Sequence, residues 1–258
     1  MRKRRICYVG ALGLALAVAI PGSAMGQDVQ NMEAGFQPQK NANVVFGQPA
    51  NLSNKFSKRG TLRVNTFLSG TGPPPSLQIA DIHLPDEMKF TSKGLKRCNP
   101  AKITGLVADQ ARAACKKSLV GTGLAEVLNV PVQGDSLLFN GTKQNGNPTV
   151  LVHISVGAAP PVTLIGEIRD SQLGPPYGKV IHIPVNPPAG PVPPGITVER
   201  TELTKISKRF TVRKKGKKKK KNYISAKCTD GTLSYRADFI HAPPDMVQSP
   251  TFEQPCTK

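Results

Sequence analysis

The stretch that decides the fold lies between Leu77 and Val130 and contains, at residues 98–123, the sequence CNPAKITGLVADQARAACKKSLVGTG. Cysteines open and close its Ala-rich part, and strand-like segments flank it on both sides. Two cysteines around so short a segment predict a covalent clip in an oxidising compartment. Asn99 followed by Pro100 is typical of a helix start, so we expect one short helix inside the clip, within 107–117.

Outside the clip, apolar and polar residues alternate in many short segments that end at Gly, Pro or Asn. This pattern is clearest in Val150–Val156 and Leu233–Phe239, and it predicts strands with one buried face. We therefore expect an all-β fold over residues 60–258, an antiparallel β-sandwich of Greek-key or immunoglobulin-like type with one short disulfide-bracketed helical insert. Gly121 and Gly123 lie within a predicted strand and indicate a bulge or close packing there.

Residues 1–26 have the three parts of an export signal: a basic start, an apolar run from Ile6 to Ile20, and a small-residue stretch. We predict cleavage after Ala24 or Gly26. An uncleaved membrane anchor is the alternative, but Pro21 would break its helix. After cleavage no transmembrane span remains, and the protein is expected to be secreted, either extracellular or in the cell envelope. Residues 27–59 are rich in Asn, Gln and Lys with little periodicity, which predicts a loosely ordered N-terminal arm.

Four cysteines remain after the signal, and four cysteines allow three pairings. We expect the two local ones, Cys98 with Cys115 and Cys228 with Cys256, because each closes a short loop. A structural zinc site is the competing use of four cysteines. No two of them have the close spacing that zinc sites usually show, so we expect neither a metal site nor a cofactor.

The segment 205–221 holds 11 Lys and Arg and no acidic residue. The formal charge is +19, and removing residues 1–26 with their four basic residues leaves +15. Five consecutive lysines cannot be buried, so a solvated hairpin tip is expected. Such runs are most often solubilising loops. The alternative is polyanion binding by Lys214, Lys215, Lys217, Lys218, Lys219, Lys220 and Lys221.

A surface of this kind would bind through counterion release, with affinity that falls as salt rises. Outside the cytoplasm its partners would be an anionic cell-wall polymer, an acidic glycan or membrane headgroups. We do not expect sequence-specific nucleic acid binding, because export removes the chain from the chromosome and no recognition motif accompanies the charge.

The sequence predicts no catalytic residue. It contains no Gly-x-Ser-x-Gly elbow, no His-Glu-x-x-His helix and no phosphate-binding Gly-rich loop. One alternative is a secreted hydrolase whose site is assembled in the fold from isolated histidines: His83, His153, His182 and His241. A carbohydrate-binding module is the other alternative, and it is disfavoured because the chain has no Trp and only four Tyr.

From about Thr61 to Cys256 the chain resembles a group of uncharacterised secreted proteins of high-GC Gram-positive bacteria. The residues that carry the resemblance are Leu84-Pro85, Cys98, Cys115, Ser118–Gly123, Phe139–Gly141, Tyr177-Gly178, Cys228–Gly231 and Phe239. The resemblance implies an exported, disulfide-containing β domain and does not imply an activity. The lysine tract is longer here than in such proteins generally.

Overall fold

A computed structural model of the chain describes residues 29–69, 77–127, 130–185, 198–214, 217–241 and 247–257. These residues form an all-β structure with one α-helix. The first ten strands are β1 Val29–Gln37, β2 Ala50–Asn51, β3 Thr61–Ser69, β4 Leu77–Pro85, β5 Met88–Phe90, β6 Leu119–Val127, β7 Val130–Asn140, β8 Thr149–Ser155, β9 Val162–Asp170 and β10 Tyr177–Pro184.

Seven further strands lie in the C-terminal part of the chain. They are β11 Val198–Ile206, β12 Arg209–Lys214, β13 Lys217–Asn222, β14 Ile224–Ala226, β15 Thr232–His241, β16 Val247–Gln248 and β17 Thr251–Thr257. A 3-10 turn at Pro100–Lys102 and helix α1 at Ala108–Ala114 lie between β5 and β6. The side chain of Asn99 caps the 3-10 turn by accepting from the Ala101 N–H at 3.1 Å, which is why the chain begins to coil there.

Most strands belong to one large sheet that is nearly barrel-shaped. Its order is β1-β3-β11-β6-β7-β8-β9-β10-β4-β15-β17-β2, with β16 attached to β15. The pairing is antiparallel throughout except between β17 and β2. β12 pairs only with β13, and β14 pairs with β5, so two small ribbons accompany the large sheet in the described part of the chain.

Glutamine side chains join the two ends of the sheet. Gln254 of β17 is fully buried, and its amide accepts from the Phe36 N–H at 2.8 Å and donates to the Phe36 carbonyl at 3.1 Å. Gln248 of β16 accepts from the N–H of Gln30 in the same way. Because a primary amide carries both a donor and an acceptor, it can satisfy the backbone of β1 where no strand continues the ladder.

The apolar residues form two separate clusters. The larger fills the interior enclosed by the sheet, and its largest fully buried side chains include Phe36, Tyr223, Tyr235 and Phe239. The smaller lies on the outer face of β7, β8 and β9, under α1 and the chain that leads to it. Strand β8 is buried on both faces for this reason, since alternate residues belong to the interior and to the cluster under α1.

Two disulfides each link segments that are close in sequence. Cys98 is bonded to Cys115 across the segment that contains α1, and Cys228 to Cys256 between the start of β15 and the end of β17. These are the two local pairings that short loop closure favours. Disulfides indicate an oxidising, extracellular type of environment.

A sandwich of two facing sheets is not confirmed. The described strands curve as one continuous sheet, because β1 returns to β17 and no second large sheet faces the first. The N-terminal segment also differs from the expected loose arm: residues 29–37 form β1, and Met32, Ala34 and Phe36 are buried in the interior. Small residues in this segment hide its alternation from the sequence pattern.

The glycines of β6 confirm the expected close packing. A Cβ atom on Gly123 would lie 1.7 Å from the carbonyl oxygen of Glu202 in β11, and the register between β6 and β11 shifts between Glu202 and Lys205. Only glycine allows the two backbones to approach so closely at this bulge.

Within the described ranges, no helix combines the length and the apolar character that a membrane-crossing helix needs.

Candidate functional site

The lysine run forms a β-strand and not the tip of a loop. Lys217–Asn222 is β13, and it pairs with β12 in register, so that Arg213 lies opposite Lys218 and Val212 opposite Lys219. The expected hairpin is therefore present, but its second strand consists of the lysines themselves. Lys215 lies outside the described residues, and the backbone of Lys214 ends β12.

One face of this lysine hairpin, which we define as residues 209–222, is entirely polar and exposed. Residues that lie opposite each other in an antiparallel pair project to the same face. The exposed face consists of Arg209, Thr211, Arg213, Lys218 and Lys220. Alternate residues along a strand are about 6.8 Å apart, so Lys218 and Lys220 are separated by about this distance, and Arg209 and Arg213 by about twice as much with Thr211 between them.

The opposite face attaches the hairpin to the rest of the molecule. Phe210 packs against the interior cluster, and Val212 lies so close to Gly94 that a Cβ there would be 2.4 Å from Val212 Cγ1. The contacts of Phe210 and Val212 fix which face of the hairpin meets solvent. Asn222, which lies opposite Arg209 at the base of the hairpin, donates its side-chain N–H to the carbonyl of Lys58 and anchors that end.

They also place two other basic segments beside the hairpin. The segment 55–59 holds three exposed cations next to the Asn222 contact, and the segment 93–97 holds three more around Gly94: Lys55, Lys58, Arg59, Lys93, Lys96 and Arg97. Neither segment contains an acidic residue. We call the hairpin and these two segments the basic surface. The sequence alone did not identify the two segments, because each is short and neither contains a long run of lysines like that of the hairpin. Only the fold shows that they lie beside it.

An exposed phenyl ring lies within the basic surface. Phe56 is 42% exposed, and the ammonium groups of Lys89 and Lys227 lie 5.6 and 5.8 Å from its ring centroid. Both distances are within the range of cation–π attraction. The ring thus holds two further cations at the border of the basic surface.

The cations of the basic surface are not neutralised by neighbours. Among the described residues, the ion pairs are formed by other cations, such as Arg63 with Glu202 and Arg236 with Asp238, and none involves a Lys or Arg of the basic surface. Like charges with no carboxylate between them raise the local potential and attract polyanions.

The four histidines occupy different environments. His153 and His241 are buried, and burial lowers the pKa of each. His83 in β4 and His182 in β10 lie on the outer face of the sheet, each within hydrogen-bond distance of an aspartate: His83 with Asp238 at 3.1 Å and His182 with Asp81 at 2.7 Å. The fold thus brings two of the four histidines together and leaves the other two apart.

In the part of the chain that the structure describes, no three His, Cys, Asp or Glu side chains are arranged to hold a metal ion. No protein family model matches the chain, and neither a curated protein nor a solved structure matches it.

Proposed function

We propose that this protein is an exported interaction domain of the cell envelope or extracellular space, and that its basic surface binds an anionic polymer. The observation that carries the proposal is the meeting of three carboxylate-free basic segments on one exposed surface. The two disulfides support export, as does the signal-like sequence of residues 1–26.

The geometry favours a linear polymer over a single small anion. The cations lie at separate positions along the two strands of the hairpin and in two further segments, and they do not converge on one point. A chain with regularly spaced phosphates or carboxylates can contact several of them at once and release several counterions. Anionic wall polymers and acidic glycans both have this form.

The proposal also explains why the hairpin is attached so firmly. A solubilising tip needs no fixed orientation, whereas Phe210 and Val212 hold one face of the hairpin against the protein and Asn222 anchors its base. A fixed cationic face loses less side-chain and backbone freedom on binding than a flexible tail does.

The test replaces three cations of the exposed face, in the variant Arg213→Gln/Lys218→Gln/Lys220→Gln, and measures binding to a glycerol-phosphate polymer from 50 to 200 mM salt. The variant makes three fewer contacts with the polymer. Over this range of salt, the affinity of the wild-type protein should therefore fall by a factor about 20-fold larger than the affinity of the variant does.

The matched control is Lys102→Gln/Lys116→Gln/Lys117→Gln, which removes the same charge beside α1. This control should keep the wild-type salt dependence. Equal losses in both variants would reduce the effect to net charge. Wild-type protein that binds no polyanion at low salt would contradict the proposal.

A further inference from the structure

Three side chains from three separate segments meet on the outer face of the sheet, beside the turn that joins β9 to β10. Ser171 begins that turn, while His83 lies in β4 and Asp238 in β15. The Oγ of Ser171 lies 3.0 Å from Nδ1 of His83, and Nε2 of His83 lies 3.1 Å from Oδ2 of Asp238. A hydroxyl bonded to an imidazole that is itself bonded to a carboxylate is the arrangement by which proteins activate serine.

The carboxylate of Asp238 selects which ring nitrogen of a neutral His83 carries the proton. Its Oδ1 accepts from Nε of Arg236 at 2.7 Å. Burial by itself raises the pKa of Asp238, but hydrogen bonds from Ser249 and Arg236 and the positive charge of Arg236 outweigh burial and lower it. An ionised carboxylate can only accept hydrogen bonds, so Nε2 of His83 must carry a proton.

Nδ1 of neutral His83 then holds a lone pair, and it can only accept a hydrogen bond. The hydroxyl proton of Ser171 must therefore point at Nδ1. The backbone N–H of Leu173 donates to Oγ of Ser171 at 3.3 Å, which leaves one lone pair of that oxygen for another partner. With its proton on Nε2, His83 is in the tautomer that can remove the serine proton.

The surroundings hold the imidazole and leave the serine accessible. His83 is only 6% exposed, and the ring of Tyr177 lies 5.9 Å from it. Ser171 is half-buried at the edge of an exposed turn, and Leu173, two residues further on, is 45% exposed. An apolar group attached to a reacting carbonyl would find a contact at Leu173.

We propose that Ser171 is a nucleophile, with His83 as its base and Asp238 as a positioning residue, and that it accepts the acyl group of small apolar esters. Oγ attacks the carbonyl carbon, its proton passes to Nδ1 of His83, and the alcohol leaves with that proton. Water then attacks the acyl-serine and gives a proton to Nδ1 of His83, and the acid leaves as that proton passes to Oγ.

The same face of the sheet supplies a matched control. His182 and Asp81 lie 2.7 Å apart as a histidine–aspartate pair, and His182 Nδ1 is bonded to the carboxylate and to no serine hydroxyl among the described residues. Changing His182 alters a histidine next to a carboxylate while it leaves the Ser171 arrangement complete.

The test exposes the full, disulfide-bonded protein to a biotinylated fluorophosphonate, which forms an Oγ–P bond and expels fluoride while the serine proton passes to His83. Peptide mapping should find the adduct on Ser171. His83→Gln should slow labelling by about 100-fold or more, and Ser171→Ala should abolish it. His182→Gln should label at the wild-type rate.

A second readout uses p-nitrophenyl acetate, which should release a burst of about one p-nitrophenolate per protein molecule that Ser171→Ala lacks. The ring ¹⁵N shifts of His83 should report the Nε2–H tautomer and change in Asp238→Asn.

Absence of an adduct on Ser171, or labelling of His83→Gln at the wild-type rate, would overturn the proposal. The variant Arg213→Gln/Lys218→Gln/Lys220→Gln should label normally, so this test and the polyanion test fail independently.

Discussion

Replacing Gln254 with Met tests how the two ends of the sheet are joined. Methionine fills nearly the same volume, so the change removes hydrogen bonds without leaving a large cavity. The Phe36 N–H and carbonyl lose their partner, and both belong to a residue with no exposed surface. Each unsatisfied buried group costs about 1–3 kcal/mol, so with two such groups the free energy of unfolding should fall by about 2–6 kcal/mol.

Two further bonds of the Gln254 amide add little to this figure. The Gln254 Nε2 also donates to the carbonyl of Gln48 at 2.8 Å, but Gln48 is exposed and water can replace that donor. The Tyr235 hydroxyl donates to the Gln254 Oε1 at 3.5 Å, which is long for a hydrogen bond, so its loss changes the free energy little. The expected loss is still a large fraction of the 5–15 kcal/mol that stabilises a typical domain.

Equilibrium unfolding in urea measures the effect, with an unchanged m-value showing that the same surface is exposed. The matched control is Gln133→Met, because Gln133 is exposed. Among the described residues, its side chain bonds only to the side chain of Glu126, at 2.7 Å. That control should cost no more than about 0.5 kcal/mol. If Gln254→Met costs no more than the control, then the amide does not hold the two ends together.

Three further outcomes are expected. Tyr223→Phe should raise the free energy of unfolding by about 1 kcal/mol in urea titrations, because the buried Tyr223 hydroxyl has no hydrogen-bond partner among the described residues; a fall would contradict this. Burial outweighs the hydrogen bond to the backbone of Leu106 and lowers the pKa of His153. Below about pH 6.5, His153 is therefore protonated in the unfolded chain but stays neutral in the folded one. As the pH is lowered, the free energy of unfolding should fall by up to about 1.4 kcal/mol per pH unit from this group. His153→Gln should reduce that slope between pH 6.5 and 5.5, and an unchanged slope would refute the assignment. Nonreducing peptide mapping should link Cys98 to Cys115, and crossed links would contradict both the structure and the expected pairing.

Local patterns in the sequence predicted local features of the fold. The alternation in Val150–Val156 and the segment before it predicts the antiparallel pair of β7 and β8, which the structure contains. Asn99 and Pro100 predict a helix start inside the first disulfide loop; a 3-10 turn begins there, and helix α1 follows at Ala108–Ala114, within the expected range 107–117. Each of these features depends on residues close in sequence or on a single covalent bond.

The closure of the sheet could not be predicted in the same way. A period of two shows that a strand has one buried face, but it does not identify the strand that lies beside it. β3 pairs with β11 and β4 with β15 across long stretches of chain, so neighbours are chosen by packing of the whole interior. The same limit hid Ser171, His83 and Asp238, which come from three segments that no sequence motif connects.

The lysine strand also affects how its own variants behave. In the described structure β13 pairs only with β12, so its other edge carries backbone groups that another strand could bond. Five ammonium groups along that edge repel a second copy of the same hairpin, which is how natural sheets avoid edge-to-edge aggregation. A variant with all five lysines neutralised would lose this repulsion. Oligomers of such a variant would then be a product of the substitution, and experiments on this hairpin must leave part of its charge in place.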